Sequence, residues 1–153
     1  MNAIDWETSA FSGKQMLVVD DSPSMRELLR QTLYDAGFER VHCAASGAQA
    51  LTLLGNATVD MMICDSMMEP VDGLALIRQL RGHGDYDRLP ILLITGHAER
   101  STVEQARKAG VTDILVKPLS RSLLLRRLAA MQPDGSRSEA APSAPRSVPW
   151  NSR

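Results

Sequence analysis

Five polar side chains close four apolar runs. Met16-Leu17-Val18-Val19 leads into Asp20-Asp21, Met61-Met62-Ile63-Cys64 into Asp65, Ile91-Leu92-Leu93-Ile94 into Thr95, and Ile114-Leu115-Val116 into Lys117. Adjacent carboxylates at the tip of a buried strand repel each other, and burial raises their pKa unless something positive lies nearby. The pair therefore asks for a cation. Three carboxylates with few other ligand types suit a hard divalent ion, and Mg²⁺ takes octahedral oxygen ligands, keeps several waters and works with phosphate. Lys117 is a point charge suited to a phosphoryl oxygen or a carboxylate. The Thr95 hydroxyl can donate to a phosphoryl oxygen. One carboxylate can attack phosphorus to give an acyl phosphate, with the metal and the ammonium offsetting charge on the transferring group.

For these residues to meet, the runs must be strands with their ends on one edge. Between the runs lie helical patterns. Ser22 caps and Pro23 fills the first turn of a helix, where its missing N–H is harmless. Met25, Leu28, Leu29, Thr32 and Leu33 fall on its inward face, and Gly37 stops it. A weaker run, Val41–Ala45, reads as an edge strand. Ser46-Gly47 opens a helix carrying Ala48, Leu51 and Leu54 inward. Leu74, Ile77 and Leu80 line a third helix, ended near Gly82–Gly84. Val103, Ala106 and Ala109 line a fourth, ended by Gly110. Ser120 caps a last helix with Leu124, Leu125 and Leu128 inward. Five βα units in series predict a five-stranded parallel sheet, doubly wound with helices on both faces. In such sheets ligands bind outside the carboxyl ends of the strands.

The totals agree with one domain and a tail. The chain has 153 residues, 44% of them apolar, with a net charge of −1 and no basic block, so bulk electrostatic binding to nucleic acid is not expected. No apolar run approaches the ~20 residues a membrane helix needs. The acidic start Met1–Glu7 lacks a signal-peptide pattern, which makes a cytoplasmic protein the expectation. Residues 1–13 read as an N-terminal extension whose Trp6 and Phe11 either dock on the domain or are loosely held. Residues 14–130 form the domain, and the Pro-, Ser- and Ala-rich residues 131–153 read as a disordered tail. Cys43 and Cys64 are not spaced as a metal knuckle, and with His42, His83 and His97 scattered no zinc site is expected.

The constellation Asp20-Asp21, Asp65, Thr95 and Lys117-Pro118 resembles the receiver domain of two-component response regulators, over roughly residues 14–130, and in particular the stand-alone, chemotaxis-type receivers. The resemblance implies a flavodoxin-like fold. It implies Asp65 as phosphoacceptor, Asp20, Asp21 and Asp65 with the backbone carbonyl of Met67 as Mg²⁺ ligands, Thr95 as switch hydroxyl and Lys117 as phosphate contact. It implies a cis peptide bond before Pro118 and a small residue, Gly96, after the switch. The partners implied are a sensor histidine kinase or phosphotransfer protein and a downstream protein, with chemistry limited to the domain's own phosphorylation and dephosphorylation. In the receiver strand order the first strand separates Cys43 from Cys64. Two strand spacings make ~9.5 Å, beyond the ~7 Å Cα limit of a disulfide.

The sequence also departs from the receiver pattern. Pro70 stands five residues after Asp65, where four is commoner, and Glu69 takes the usual slot, while Asp72-Gly73 keeps its place. Ile114 replaces the aromatic ring that receivers usually carry there and rotate on activation. His97, two residues after Thr95, is either at a position that tunes phosphoryl lifetime or a solvated loop residue. Arg121, Arg126 and Arg127 are either a solvated face or part of a partner surface. With residues 131–153 too short and polar for an output module, output by protein contact or phosphorelay is expected. A phosphate sink, and an interaction module that signals without phosphorylation, stay open beside it. An aspartate-nucleophile phosphatase would need its two acids two residues apart after the first strand, and a flavin site would be repelled by Asp20-Asp21.

Overall fold

The computed structural model describes residues 10–68, 72–96 and 99–132. Five strands, β1 (Gln15–Val19), β2 (Arg40–Ala44), β3 (Met61–Asp65), β4 (Ile91–Thr95) and β5 (Asp113–Val116), alternate with five helices, α1 (Pro23–Asp35), α2 (Gly47–Asn56), α3 (Gly73–Arg81), α4 (Arg100–Ala109) and α5 (Arg121–Met131). The strands are parallel and ordered β2-β1-β3-β4-β5. This is the flavodoxin-like arrangement, with β1 between β2 and β3 at the point where strand order reverses.

The continuous apolar runs are explained by burial on both faces. Leu17, Val19, Met62, Cys64, Ile91 and Leu93 point into a core shared with α2, α3 and α4. Their neighbours Met16, Val18, Met61, Ile63, Leu92 and Ile94 point into a second core, with α1 and α5. Successive strand residues alternate faces, and in β1, β3 and β4 both faces are covered, whereas the outer strands β2 and β5 keep exposed positions. Cys43 and Cys64 pair with Val18 and Val19 on opposite sides of β1, and both thiols are free.

Four helix starts are capped by side chains: Ser22, Ser46, Asp72 and Ser120 accept from Met25, Gln49, Ala75 and Leu123 N–H. Pro23 sits in the first turn of α1, and Gly110 ends α4 with φ of 100°. Two inward positions are corrected. Leu28 is 54% exposed, while Leu29, Leu33 and Ala36 are buried. Ala48 is exposed, while Ala50 and Leu54 are buried. In each case the buried stripe is centred one residue away, and a 100° step per residue turns the flanking position outward.

Ahead of β1, Phe11 is fully buried and stacks on Phe38 with ring centroids 4.6 Å apart. Gln132 Nε2, just past α5, donates to the Ala10 carbonyl at 2.6 Å. Phe11 therefore docks on the domain. Trp6, Glu69-Pro70-Val71, His97 and residues 133–153 of the expected tail lie outside the described residues.

Candidate functional site

The carboxyl end of β1 is pinned before any ligand is considered. Asp20 N–H donates to the Ala44 carbonyl of β2 at 3.1 Å, continuing the ladder one residue beyond the strand. Ser22 N–H donates to Asp20 Oδ1 at 2.9 Å. Arg26 Nη1, one turn into α1, donates to the Asp20 carbonyl at 2.8 Å. Asp20 is buried; Asp21, one residue on, is exposed. Two adjacent acids thus occupy unlike environments, which the sequence alone does not separate.

Asp65 ends β3 in the middle of the sheet and is 5% exposed. One ligand oxygen each of Asp20, Asp21 and Asp65 lies within 4.8 Å of the others. Lys117, directly after β5, places Nζ 3.1 Å from Asp65 Oδ1. That contact is an ion pair without hydrogen-bond geometry, and the buried Oδ1 has no hydrogen-bond donor among the described residues. Thr95 ends β4 and is 1% exposed. Its carbonyl accepts from Lys117 N–H at 2.9 Å, so the backbones of Thr95 and Lys117 are tied. All five polar residues singled out in the sequence stand on one edge of the sheet. The Lys117–Pro118 peptide bond is cis, and Gly96 is exposed with open space around its Cα.

Burial raises the Asp20 pKa above its ordinary value; the Asp65 and Asp21 charges push it the same way, against the Ser22 N–H and Lys117. Burial likewise drives the Cys64 thiol far above its usual range, so Cys64 is a buried small apolar group beside the acid and not a nucleophile.

The donor set fits a divalent cation. Octahedral Mg²⁺ with oxygens at about 2.1 Å spans about 4.2 Å between opposite ligands, close to the carboxylate spacing here. An unsatisfied buried carboxylate oxygen is what such an ion would complete.

Two residues of the site escape a reading by strand ends. Arg26 belongs to a helix, and only its six-residue spacing from Asp20 hints at a contact back to β1. Gly73 starts α3 so close to β3 that a Cβ would overlap the Asp65 carbonyl oxygen and lie 3.1 Å from Cys64 Sγ. Met67, in the loop after β3, is 64% exposed.

The model of the response regulator receiver domain matches residues 16–129. The chain belongs to the response regulator receiver domain family. A chemotaxis protein CheY homolog of Campylobacter jejuni is 35% identical over 128 residues, covering 83% of this chain and 98% of that protein. The Regulator of RpoS of Escherichia coli is 38% identical over 112 residues, 73% of this chain; the match spans only 32% of that protein's length. Among solved structures, the receiver domain of sensor histidine kinase PA1611 from Pseudomonas aeruginosa superposes with a TM-score of 0.71 at 29% identity, covering 78% of this chain and 98% of that one. That structure holds a magnesium ion coordinated in its active-site cleft. Receiver domains are signalling domains, and these relatives are bacterial. No helix among the described residues is long and apolar enough to cross a membrane.

Proposed function

We propose that this receiver, spanning residues 14–130, accepts a phosphoryl group on Asp65 from a histidine kinase or a phosphotransfer protein. The observation that carries the reading is the convergence of Asp20, Asp21 and Asp65 within 4.8 Å with Lys117 Nζ 3.1 Å from Asp65. A carboxylate oxygen of Asp65 forms the new O–P bond as the N–P bond of a donor phosphohistidine breaks, and the donor imidazole keeps the electron pair and takes up a proton. Asp20, Asp21 and Asp65, with the Met67 carbonyl, would hold Mg²⁺, which supplies charge neutralisation for the transferring phosphoryl group. Asp20, held by Ser22 and Arg26, presents its carboxylate without a search for conformation. The Lys117 ammonium, already paired with Asp65, is in reach of a phosphoryl oxygen, and the Thr95 hydroxyl donates to another. The domain's chemistry is confined to its own phosphorylation and dephosphorylation, and its setting is the cytoplasm.

Ile114 sits half-buried against the α2–α4 core and offers no ring to rotate. The signal leaves instead through backbone: Thr95 pairs with Val116 and binds Lys117 N–H, so a shift at the switch residue is felt along β5. A downstream protein, or a further phosphotransfer partner, reads that shift.

The test is phosphorylation of the protein by acetyl phosphate with Mg²⁺, followed by hydroxylamine cleavage of the acyl phosphate. Wild type is labelled, EDTA abolishes labelling, and Asp65→Asn is unlabelled while keeping its melting profile. Mg²⁺-dependent labelling that persists in Asp65→Asn would overturn the assignment.

A further inference from the structure

Every polar group of Asp20 but one is committed. Its N–H goes to Ala44, its carbonyl accepts from Arg26, and its Oδ1 accepts from Ser22 N–H. Only Oδ2 carries no hydrogen bond to another residue among the described residues. These bonds also form a circuit. Ser22 N–H binds Asp20 Oδ1, Arg26 N–H binds the Ser22 carbonyl at 3.0 Å, and Arg26 Nη1 returns to the Asp20 carbonyl. The circuit is nucleated by the helix cap, because Ser22 Oγ accepts from Met25 N–H at 3.2 Å. Of its three links, two are backbone N–H groups that any residue would supply. Arg26 is the one side-chain donor that closes it.

From this geometry we infer that Arg26 is a positioning residue for the cation site: its guanidinium locks the β1–α1 turn so that the Asp20 carboxylate is held beside those of Asp21 and Asp65. It acts through the Asp20 carbonyl and not through the carboxylate, so what it contributes is geometry more than charge. A side chain fixed in place before binding spares the site the ordering cost at the moment of binding. Asp21 is exposed and has no such brace among the described residues. The pair is one rigid ligand and one adjustable ligand. This inference rests on the cation-dependent reading of the site proposed above.

The deciding experiment is Mg²⁺ titration of the whole protein by calorimetry, and by NMR through the Ser22 amide, whose hydrogen bond to Asp20 Oδ1 reports the turn directly. Arg26→Ala is expected to weaken Mg²⁺ affinity about three- to tenfold and to move the metal-free Ser22 amide resonance toward that of a free N–H. Arg26→Lys, which retains a donor on a long stem, is expected to recover part of the affinity. Phosphorylation by acetyl phosphate at saturating Mg²⁺ should fall less than twofold, because the lost step is binding. Tyr86→Phe, remote from the site, serves as the control for a general loss of stability and should leave Mg²⁺ affinity unchanged. Unaltered Mg²⁺ affinity in Arg26→Ala would overturn the inference, as would an equal loss in Tyr86→Phe. Wild type that binds no Mg²⁺ would instead defeat the functional reading itself, a distinct result.

Discussion

At the amino end of the sheet, Arg81 closes α3 by donating from Nε to the Gly110 carbonyl at 2.9 Å and from Nη1 to the Tyr86 carbonyl at 2.7 Å. Tyr86 in turn donates its hydroxyl to the Leu54 carbonyl at 3.1 Å, at the end of α2. One cation and one hydroxyl join the carboxyl ends of three helices, and helix ends are where carbonyls lack partners. At the carboxyl end of the sheet, Lys117 faces a carboxylate whose Oδ1 has no hydrogen-bond donor among the described residues, and three acids crowd together. Both ends hold a cation beside oxygens. At one, Arg81 and Tyr86 satisfy carbonyls and join the helices; at the other, the polar groups are left needing something from outside. The first arrangement supports stability and the second supports chemistry.

The contrast breaks most severely where the two demands overlap, at Gly73. There α3 starts against the carbonyl of Asp65, the proposed acceptor, leaving no room for a Cβ. Gly73→Ala is expected to lose at least tenfold in the initial rate of Asp65 phosphorylation and to destabilise the fold by about 1–3 kcal/mol through overpacking. Both readouts, acyl-phosphate yield and urea unfolding, should move together. A variant that is destabilised yet phosphorylated at the wild-type rate would show that α3 packing and acceptor placement are independent.

At the other end the two readouts should separate. Gly110 has φ of 100°, and a Cβ there would lie 2.8 Å from Arg81 Cγ. Gly110→Ala is expected to cost about 1–3 kcal/mol of stability, from backbone strain and displacement of Arg81, with Mg²⁺ affinity and phosphorylation unchanged. Urea unfolding beside an acetyl phosphate assay checks this. Loss of phosphorylation in folded Gly110→Ala would mean that the amino end of the sheet is coupled to the site.

The strand-end acids, Thr95, Lys117 and the parallel sheet were legible because a strand buried on both faces leaves a continuous apolar run, and the first polar residue after it marks the edge. Caps at Ser22, Ser46 and Ser120 were legible because they are local. Leu28 and Ala48 were misplaced because the phase of a helical stripe is set by what the helix packs on, and a one-residue offset keeps the same periodicity. Phe11 could not be placed because its partner, Phe38, is distant in sequence. Arg26 could not be read because its role depends on a side chain folding back over a turn. The difference between Asp20 and Asp21 was hidden for the same reason: burial and hydrogen bonds separate them, and residue type does not.

That difference supplies the smallest effect and the most specific one. Burial raises the Asp20 pKa in the metal-free fold above its ordinary 3.8. The folded protein therefore holds this proton more tightly than the unfolded chain does. The resulting stabilisation is present in full below pH 3.8 and is lost as pH rises through the folded pKa. At neutral pH the buried charge, with Asp65 and Asp21 beside it, opposes folding. Asparagine at this position carries neither the charge nor the titration. In EDTA, Asp20→Asn should melt above wild type at pH 7, and the gap should narrow as pH falls toward 3.8. Comparing the two proteins at each pH cancels groups of opposite sign such as Glu27, which its hydrogen bonds to Arg30 and Gln31 hold at about 2. Added Mg²⁺ should reverse the order at pH 7, because a ligand that binds the native state raises its stability with the logarithm of its concentration over Kd, and the variant lacks the carboxylate proposed as the rigid ligand. An EDTA gap that does not change with pH would show that Asp20 is not the strained acid of the pair. Equal stabilisation of both proteins by Mg²⁺ would place the ion on Asp21 and Asp65 without it.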